Sequence, residues 1–358
     1  MVCKNASSIA RIDLKCVNAK TKVKDNMFRQ INMIPSVEEI RQWLPLPANL
    51  AKVKTEFDMQ IRENMRTRKR FVVVCGPCSA DDVKAVAEYV RFLKGQADLY
   101  PELLVVARIY TVKPHSDGTG YPGMLFGGAD GKDIVAGIVR CRKVMTDCLA
   151  AGLPIADELL FPELWDYFSD LVSYPFVGAR SSEDTLHRAY ASGLSVPVGI
   201  KNGTDGSVFK LASSVAAASR PSVFPVGGKV LQTDGNKMCH AVLRGGQDDG
   251  RFRENFSERL VRRLKFLLNK QGLNDFIMVD LSHANSGKIA ANQLQNACRA
   301  VSNRDVCGVM AESYLYDGAN PDGEYGVSRT DDCLGMDKTA DLLKLIRDVY
   351  VSRAKSDN

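Results

Sequence analysis

The sequence predicts an α/β protein, a (β/α)8 TIM barrel with an N-terminal helical extension. Three observations predict it: eight short β-branched runs follow residue 69, amphipathic helical stretches lie between them, and 358 residues leave ample length. Parallel neighbours require right-handed crossovers, and a closed ring of eight strands removes both sheet edges. An open doubly wound sheet is the rival arrangement.

The eight predicted strands are short apolar runs. They span residues 70–75, 103–109, 154–158, 176–180, 197–201, 240–243, 276–281 and 305–311. All are far too short to cross a bilayer, so we predict no membrane association.

The helices are predicted from the 3.6-residue period of their apolar residues. In the stretch 254–268 the apolar face consists of Phe256, Leu260, Leu264 and Leu267. On its other face, three arginines are expected to face water: Arg259, Arg262 and Arg263. The last helix, expected to close the ring, shows the same pattern with Leu342, Leu345, Ile346 and Val349.

The first 69 residues are predicted to be a separate extension, and residues 70–358 the catalytic barrel. Residues 36–43 and 52–65 are two predicted helices, separated by the breaker LPLPAN. Before them, a loose basic arm carries Lys4, Arg11, Lys15, Lys20, Lys22 and Lys24, without the apolar segment of a signal peptide.

The net charge and the cysteine spacing indicate which classes of function and which cellular location the chain fits. The net charge of +6 comes from basic residues interleaved with 42 acidic ones, which indicates a solvated surface with some anion-binding side chains. A nucleic-acid-binding protein is the alternative from another class, but no helix-turn-helix, zinc finger or aromatic-basic strand face is visible. Ten cysteines are scattered rather than densely spaced, which favours a reducing, cytoplasmic location.

Five cations lie at or just beyond the ends of four predicted strands. They are Arg108 with Lys113 beyond it, Arg180, Lys201 and Arg244. Barrel active sites lie at the carboxyl ends of the strands, so these side chains should converge on one mouth. Like charges repel one another there unless anions are bound, which predicts phosphate or carboxylate ligands. The alternative is that each cation pairs with a neighbouring acid.

A second set of strand-end residues suits a divalent transition metal. Cys78, His283 and Glu312 follow strands one, seven and eight, and Asp331 could complete four ligands. For Cys78, core packing is an alternative. The pair Cys75 and Cys78 in CGPC also has the spacing of a dithiol redox site, but Cys75 ends an apolar run.

Seven segments in fixed order resemble the metal-dependent type I 3-deoxy-D-arabino-heptulosonate-7-phosphate (DAHP) synthases. The segments are CGPCS, GARSSEDTLHR, GIKNGTDGS, LRGG, DLSHANSGK, GVMAES and YGVSRTDDC. The resemblance implies condensation of phosphoenolpyruvate with erythrose 4-phosphate, in the first step of the shikimate pathway to aromatic amino acids.

The resemblance also implies residue roles. It makes Cys78, His283, Glu312 and Asp331 the ligands of a divalent ion such as Mn, Fe, Co or Zn. It assigns the phosphoenolpyruvate site to Arg108, Lys113, Glu158, Ala179, Arg180, Lys201 and Arg244. As catalytic groups we predict Lys113, which would protonate the developing alkoxide, Glu158, which would handle the water, and His283.

Two departures from the family pattern bear on substrate and regulation. After Lys113, His115 and Ser116 stand where the family usually has Arg-Thr, which contacts the acceptor's phosphate. A related synthase acting on another sugar, such as the 3-deoxy-D-manno-octulosonate-8-phosphate type, is therefore the runner-up.

The stretch 207–236 is shorter than in feedback-regulated relatives, which predicts altered or absent inhibition by aromatic amino acids. The extension argues for such regulation and for a homo-oligomer, a dimer or tetramer.

Overall fold

The computed structural model describes residues 28–113, 120–126 and 131–355. The chain divides into two units after Ile34. Of the first unit only residues 28–34 are described, and they have no regular secondary structure. The basic arm lies outside the described residues. A domain boundary at residue 69 stays a prediction.

The second unit contains the following elements in the described ranges. The strands are β1 (Phe71–Gly76), β2 (Leu103–Arg108), β3 (Ile155–Glu158), β4 (Tyr174–Val177), β5 (Val198–Lys201), β6 (Ser222–Val226), β7 (Lys229–Thr233), β8 (Cys239–Leu243), β9 (Gly246–Asp248), β10 (Arg251–Arg253), β11 (Ile277–Asp280) and β12 (Val306–Glu312). The helices are α1 (Val37–Trp43), α2 (Ala48–Thr67), α3 (Val83–Leu99), α4 (Ile134–Ala150), α5 (Thr185–Gly193), α6 (Val208–Ala218), α7 (Glu258–Asn269), α8 (Asn292–Ser302) and α9 (Met336–Lys355).

Eight parallel strands close into a barrel in the order β1-β12-β11-β8-β5-β4-β3-β2. The predicted (β/α)8 barrel is therefore confirmed, and the open doubly wound sheet is wrong. In β1, Cys75 lies opposite Ala107 on one side and Ala311 on the other. The remaining strands form two small antiparallel pairs, β6 with β7 and β9 with β10.

Three predicted boundaries are wrong by three or four residues. Helix α2 begins at Ala48 rather than at residue 52, so the last two residues of the predicted breaker LPLPAN are helical. Strand β4 ends at Val177, so Arg180 lies in the following loop rather than at the strand end. Helix α7 begins at Glu258 rather than at residue 254, because residues 251–253 pair with β9. The three arginines predicted to face water from this helix are exposed.

Helix α2 supplies apolar residues to the barrel interior. Ile61 and Met65 belong to the same buried cluster as Val72, Leu104 and Phe276, which lie near the amino ends of their strands or just before them. This helix therefore covers the end of the barrel away from the strand carboxyl ends. None of the helices in the described ranges is long and apolar enough to cross a membrane.

His240 lies on β8, fully buried beside Tyr174 and Phe276. Its Nδ1 lies 3.1 Å from the Met238 carbonyl oxygen and its Nε2 2.7 Å from the Tyr174 hydroxyl. One neutral tautomer satisfies both contacts, because Nδ1–H donates to the carbonyl and Nε2 accepts from the hydroxyl. Burial lowers the pKa of His240 to about 4.

We expect His240 to make the fold sensitive to acid. Its pKa is lower in the folded state than in the unfolded chain, so the stability it contributes is present above pH 6.5 and is lost as pH falls towards 4. At pH 4.5 the loss should be about 2 to 3 kcal/mol. The measurement is denaturant unfolding of wild type and His240→Gln at pH 7 and pH 4.5. Parallel pH dependence in the two proteins would contradict this.

Candidate active site

The strand-end residues predicted to bind anions line one cavity of about 480 Å³ at the carboxyl ends of the barrel strands. Its lining includes all five predicted cations together with Glu158, Ala179, His283 and Asp331. Arg180 reaches this cavity although it lies three residues beyond β4. The closed barrel thus brings together residues that are dispersed in the sequence.

Three of the four predicted metal ligands form a tight group. Ligand atoms of Cys78, Glu312 and Asp331 all lie within 4.8 Å of one another. His283 is outside this group, but its Nε2 is 3.5 Å from Glu312 Oε1. Lys113 lies against the group, with Nζ 2.6 Å from Cys78 Sγ and 2.9 Å from Asp331 Oδ2.

Local structure fixes these side chains. A Cβ at Gly76 would overlap the Arg108 carbonyl oxygen, so only glycine lets the end of β1 lie this close to β2 just before Cys78. Glu312 ends β12, where its backbone exchanges two hydrogen bonds with the Gln293 side-chain amide, each 2.9 Å long.

His283 has an unusual backbone. Its φ is +53°, a left-handed conformation that costs a non-glycine residue free energy and often occurs at functional sites. Its Nδ1 lies 3.0 Å from Asp280 Oδ2 and 2.9 Å from Ser282 Oγ. These contacts on Nδ1 leave Nε2 directed at Glu312.

The buried groups at this site shift one another's pKa values. Burial, and then the Glu312 carboxylate, raise the pKa of the Cys78 thiol to about 12. Burial opposes ionisation of Asp331, but Lys113 and His283 outweigh it and hold the pKa of that carboxyl well below its usual range. Burial likewise lowers the pKa of Lys113, but Cys78 and the two acids outweigh it and raise that pKa above its ordinary value.

The residues present fit a divalent transition metal. Glu312 Oε1 is buried and accepts no hydrogen bond in the part of the chain that the structure describes, although Arg108 Nη2 lies 3.0 Å away. A buried acceptor of this kind calls for a further positive partner. Thiolate, imidazole and carboxylate together are the mixed donor set that such ions accept, and a bound ion would deprotonate Cys78.

The alternative that strand-end cations pair with neighbouring acids applies to Arg108, Lys113 and Lys201. Arg108 pairs with Glu312 at 3.0 Å, Lys113 with Asp331, and Lys201 with Asp280 at 2.8 Å. No carboxylate lies within ion-pair distance of the Arg244 side chain among the described residues. Burial lowers the pKa of Arg244, and the nearby Arg180 lowers it further. Two guanidinium groups close enough to repel each other are suited to binding an anion.

Asp280 is a site residue that sequence reasoning missed. It is fully buried at the end of β11 and contacts both Lys201 and His283, which links the cation set to the candidate metal set. His283, and after it Lys201, hold the pKa of Asp280 well below its usual range against the effect of burial. The only signal in the sequence was a carboxylate at the end of an apolar run, MVD.

Glu158 lies against the backbone of the next strand end. A Cβ at Gly178 would overlap the Glu158 carboxylate, so glycine at 178 makes room for this side chain beside Ala179. His115 and Ser116, which bear on the acceptor sugar, lie outside the described residues.

The two cysteines of CGPC face different surroundings. Cys75 Sγ lies 3.3 Å from the Tyr89 hydroxyl, and burial raises the pKa of the Cys75 thiol to about 11. Reactive dithiols need a lowered thiol pKa on an accessible cysteine, and both cysteines here are buried. This argues against the redox interpretation.

Comparisons with known proteins identify the family and the fold of the chain. The sequence model described as the DAHP synthetase I family matches residues 54–344. The chain is 39% identical over 297 residues to the Tyr-sensitive phospho-2-dehydro-3-deoxyheptonate aldolase of Escherichia coli K12, covering 77% of this chain and 82% of that one. It is 32% identical over 355 residues to the tyrosine-inhibited aldolase of the same name from Schizosaccharomyces pombe, covering 93% and 94%. The solved structure of the Francisella tularensis aldolase superposes with a TM-score of 0.84 at 30% identity, covering 92% of this chain and 99% of that one.

Proposed function

The chain belongs to the DAHP synthetase I family, and we propose that the cavity at the barrel mouth is the active site of its reaction. The reaction is condensation of phosphoenolpyruvate with erythrose 4-phosphate to DAHP and inorganic phosphate, the first step of the shikimate pathway. The observation that carries the proposed location is the meeting of five cations in one cavity whose wall includes Asp331, a member of the buried Cys78–Glu312–Asp331 group. The octulosonate-type alternative is not favoured, because the similar proteins are named as heptonate aldolases.

Phosphoenolpyruvate is held by the cations of the cavity. Arg180 and Arg244 grip an anionic group with paired N–H donors, and Lys201 adds a point charge fixed by Asp280. Arg108, Lys113, Glu158 and Ala179 complete this proposed site. Held in this way, the C3 methylene of phosphoenolpyruvate is oriented towards the acceptor aldehyde.

The divalent ion that the family requires would be held by Cys78, His283, Glu312 and Asp331. Metal analysis of the purified protein identifies it among Mn, Fe, Co and Zn. When bound, such an ion supplies Lewis-acid stabilisation of developing negative charge. The buried Asp280 orients His283 for this role through Nδ1.

The proposed chemistry uses two proton-handling side chains. Carbon C3 of phosphoenolpyruvate forms a bond to the aldehyde carbon, and the aldehyde oxygen takes a proton from Lys113 Nζ. Water adds at C2, and Glu158 accepts its proton through a relay. The C2–O bond to phosphate then breaks, the C2 hydroxyl becomes the keto group of DAHP, and its proton passes to the departing inorganic phosphate. The proton held by Glu158 returns to Lys113 Nζ, which restores both side chains.

The test is phosphate release from phosphoenolpyruvate with a panel of aldose phosphates, with and without a chelator. We expect turnover with erythrose 4-phosphate, loss of turnover to background with chelator, and recovery on adding a divalent transition metal. Bridging oxygen labelled in phosphoenolpyruvate should leave with the phosphate. Chelator-resistant turnover would contradict the metal site, and label retained in the sugar would contradict C–O cleavage.

Feedback by an aromatic amino acid is a finer part of the proposal. The hairpin of β6 and β7 is present, with a tight turn at Gly227 and Gly228, both at positive φ. Beside it lies a cleft of about 510 Å³ lined in part by Trp165, Tyr190 and Phe224. Relatives are named Tyr-sensitive and Phe-sensitive. The same assay with added Phe, Tyr or Trp measures this feedback.

A homo-oligomer, either a dimer or a tetramer, is part of the proposal, as is a cytoplasmic location. Sedimentation of the purified chain measures the first, and fractionation of cells measures the second.

A further inference from the structure

The loop that follows β12 brings another cation to the barrel mouth. Arg329 and Thr330 line the same cavity as Lys113 and Arg180. The Arg329 guanidinium carbon lies 4.5 Å from the centroid of the Tyr121 ring, which fixes the side chain from one side. Sequence reasoning assigned no role to Arg329.

Arg329 and Thr330 both have unused hydrogen-bonding capacity. Arg329 Nε and Thr330 Oγ1 are buried, and neither has a hydrogen-bond partner within the described ranges. No carboxylate there lies within ion-pair distance of Arg329. The nearby Asp81 instead accepts a 2.7 Å hydrogen bond from the Tyr314 hydroxyl. Buried polar atoms without partners at a cavity wall indicate a ligand that supplies them.

The two substrates bring three anionic groups into this cavity. Phosphoenolpyruvate carries a carboxylate and a phosphate, for which Arg180, Lys201 and Arg244 are proposed above. Erythrose 4-phosphate brings a second phosphate, which needs a donor of its own. The aldehyde end of erythrose 4-phosphate must approach Lys113 and the group of Cys78, Glu312 and Asp331. The phosphate at its other end therefore lies a short carbon chain away from these residues.

Arg329 lies at a suitable place for this phosphate. It is two residues from Asp331, so their Cα atoms lie within about 7 Å of each other. We propose that Arg329, assisted by the Thr330 hydroxyl, binds the phosphate of the acceptor aldose phosphate. This inference rests on the proposed function of the cavity. It makes Arg329 a determinant of acceptor specificity, distinct from the phosphoenolpyruvate set.

The competing explanation is structural. In it, Arg329 only stacks on Tyr121 and offsets the charge of Asp81. Arg263 offers a matched control, because its guanidinium carbon lies 5.3 Å from the Phe209 ring centroid and the residue is exposed on α7, away from the cavity. Loss of Arg263 removes the same kind of stacking without touching the mouth.

The experiment compares metal-loaded wild type, Arg329→Ala, Thr330→Val and Arg263→Ala, with erythrose 4-phosphate and with unphosphorylated erythrose as acceptors. In Arg329→Ala we expect the KM for erythrose 4-phosphate to rise about 10- to 100-fold, with a change of less than about 2-fold for phosphoenolpyruvate. The ratio of kcat/KM for erythrose 4-phosphate over erythrose should fall by the same factor. Thr330→Val should show a smaller loss of the same kind, and Arg263→Ala none.

Three outcomes would count against the inference. An unchanged preference for the phosphorylated acceptor in Arg329→Ala would overturn it while leaving the proposed function intact. Equal losses with both acceptors would assign Arg329 the structural role. Wild type that releases no phosphate with erythrose 4-phosphate would overturn the proposed function, and this inference with it.

Discussion

Replacing Cys78 with alanine is expected to abolish metal-dependent turnover while the protein stays folded. Cys78 Sγ is the only soft donor in the group with Glu312 and Asp331, and the site is fully buried at this residue. Loss of one of the four ligands should lower the metal content of the protein. Activity should fall by at least about 10³-fold, because the negative charge that develops in the reaction is then less stabilised. The measurements are metal analysis of the purified variant and phosphate release at saturating substrates.

Cys75→Ala is the matched control for this variant. Cys75 is also a buried thiol of CGPC, but it contacts the Tyr89 hydroxyl rather than the candidate ligands. We expect it to keep its metal and most of its activity, with a stability cost of about 1 kcal/mol. Thermal melts of both variants separate unfolding from loss of metal. Full activity in folded Cys78→Ala would end the ligand assignment.

The barrel could be predicted because its strands are buried on both faces. Such strands are continuous apolar runs, and β1 and β12 are buried at every residue, so their ends could be located from composition. The start of β4 was missed because its first residues, Tyr174 and Pro175, do not extend an apolar β-branched run. The hairpin of β6 and β7 is largely exposed and has no burial pattern that would mark it.

The active-site cavity could be predicted in part. Cations at strand ends converge in any closed barrel, so their meeting followed from the fold. Their partners did not follow, because the ion pair of Lys201 and Asp280 joins β5 to β11 across an intervening strand. The position of Arg329 was equally hidden, since it lies in an irregular loop and its contact with Tyr121 is set by tertiary structure alone. The sequence showed no cation to replace the Arg expected at 115, whereas the structure places Arg329 at the same cavity as Lys113.

Lys113→Met is expected to lower kcat by about 10²- to 10⁴-fold, the usual range for loss of a positioned general acid. Methionine keeps an unbranched apolar side chain of similar length and removes the ammonium that lies 2.6 Å from Cys78 Sγ. Metal content should be retained, because a positive charge that competes for Cys78 and Asp331 is lost, and this separates Lys113→Met from Cys78→Ala.

The control for Lys113→Met is Lys265→Met. Lys265 also pairs with an aspartate, at 2.6 Å from Asp305, but this pair lies at the amino end of β12, away from the cavity. It should leave kcat unchanged. A Lys113→Met enzyme that loses its metal would show that the ammonium acts by organising the ligands, and one with wild-type kcat would remove Lys113 from the proton transfer. Steady-state kinetics and metal analysis on the same preparations distinguish these results.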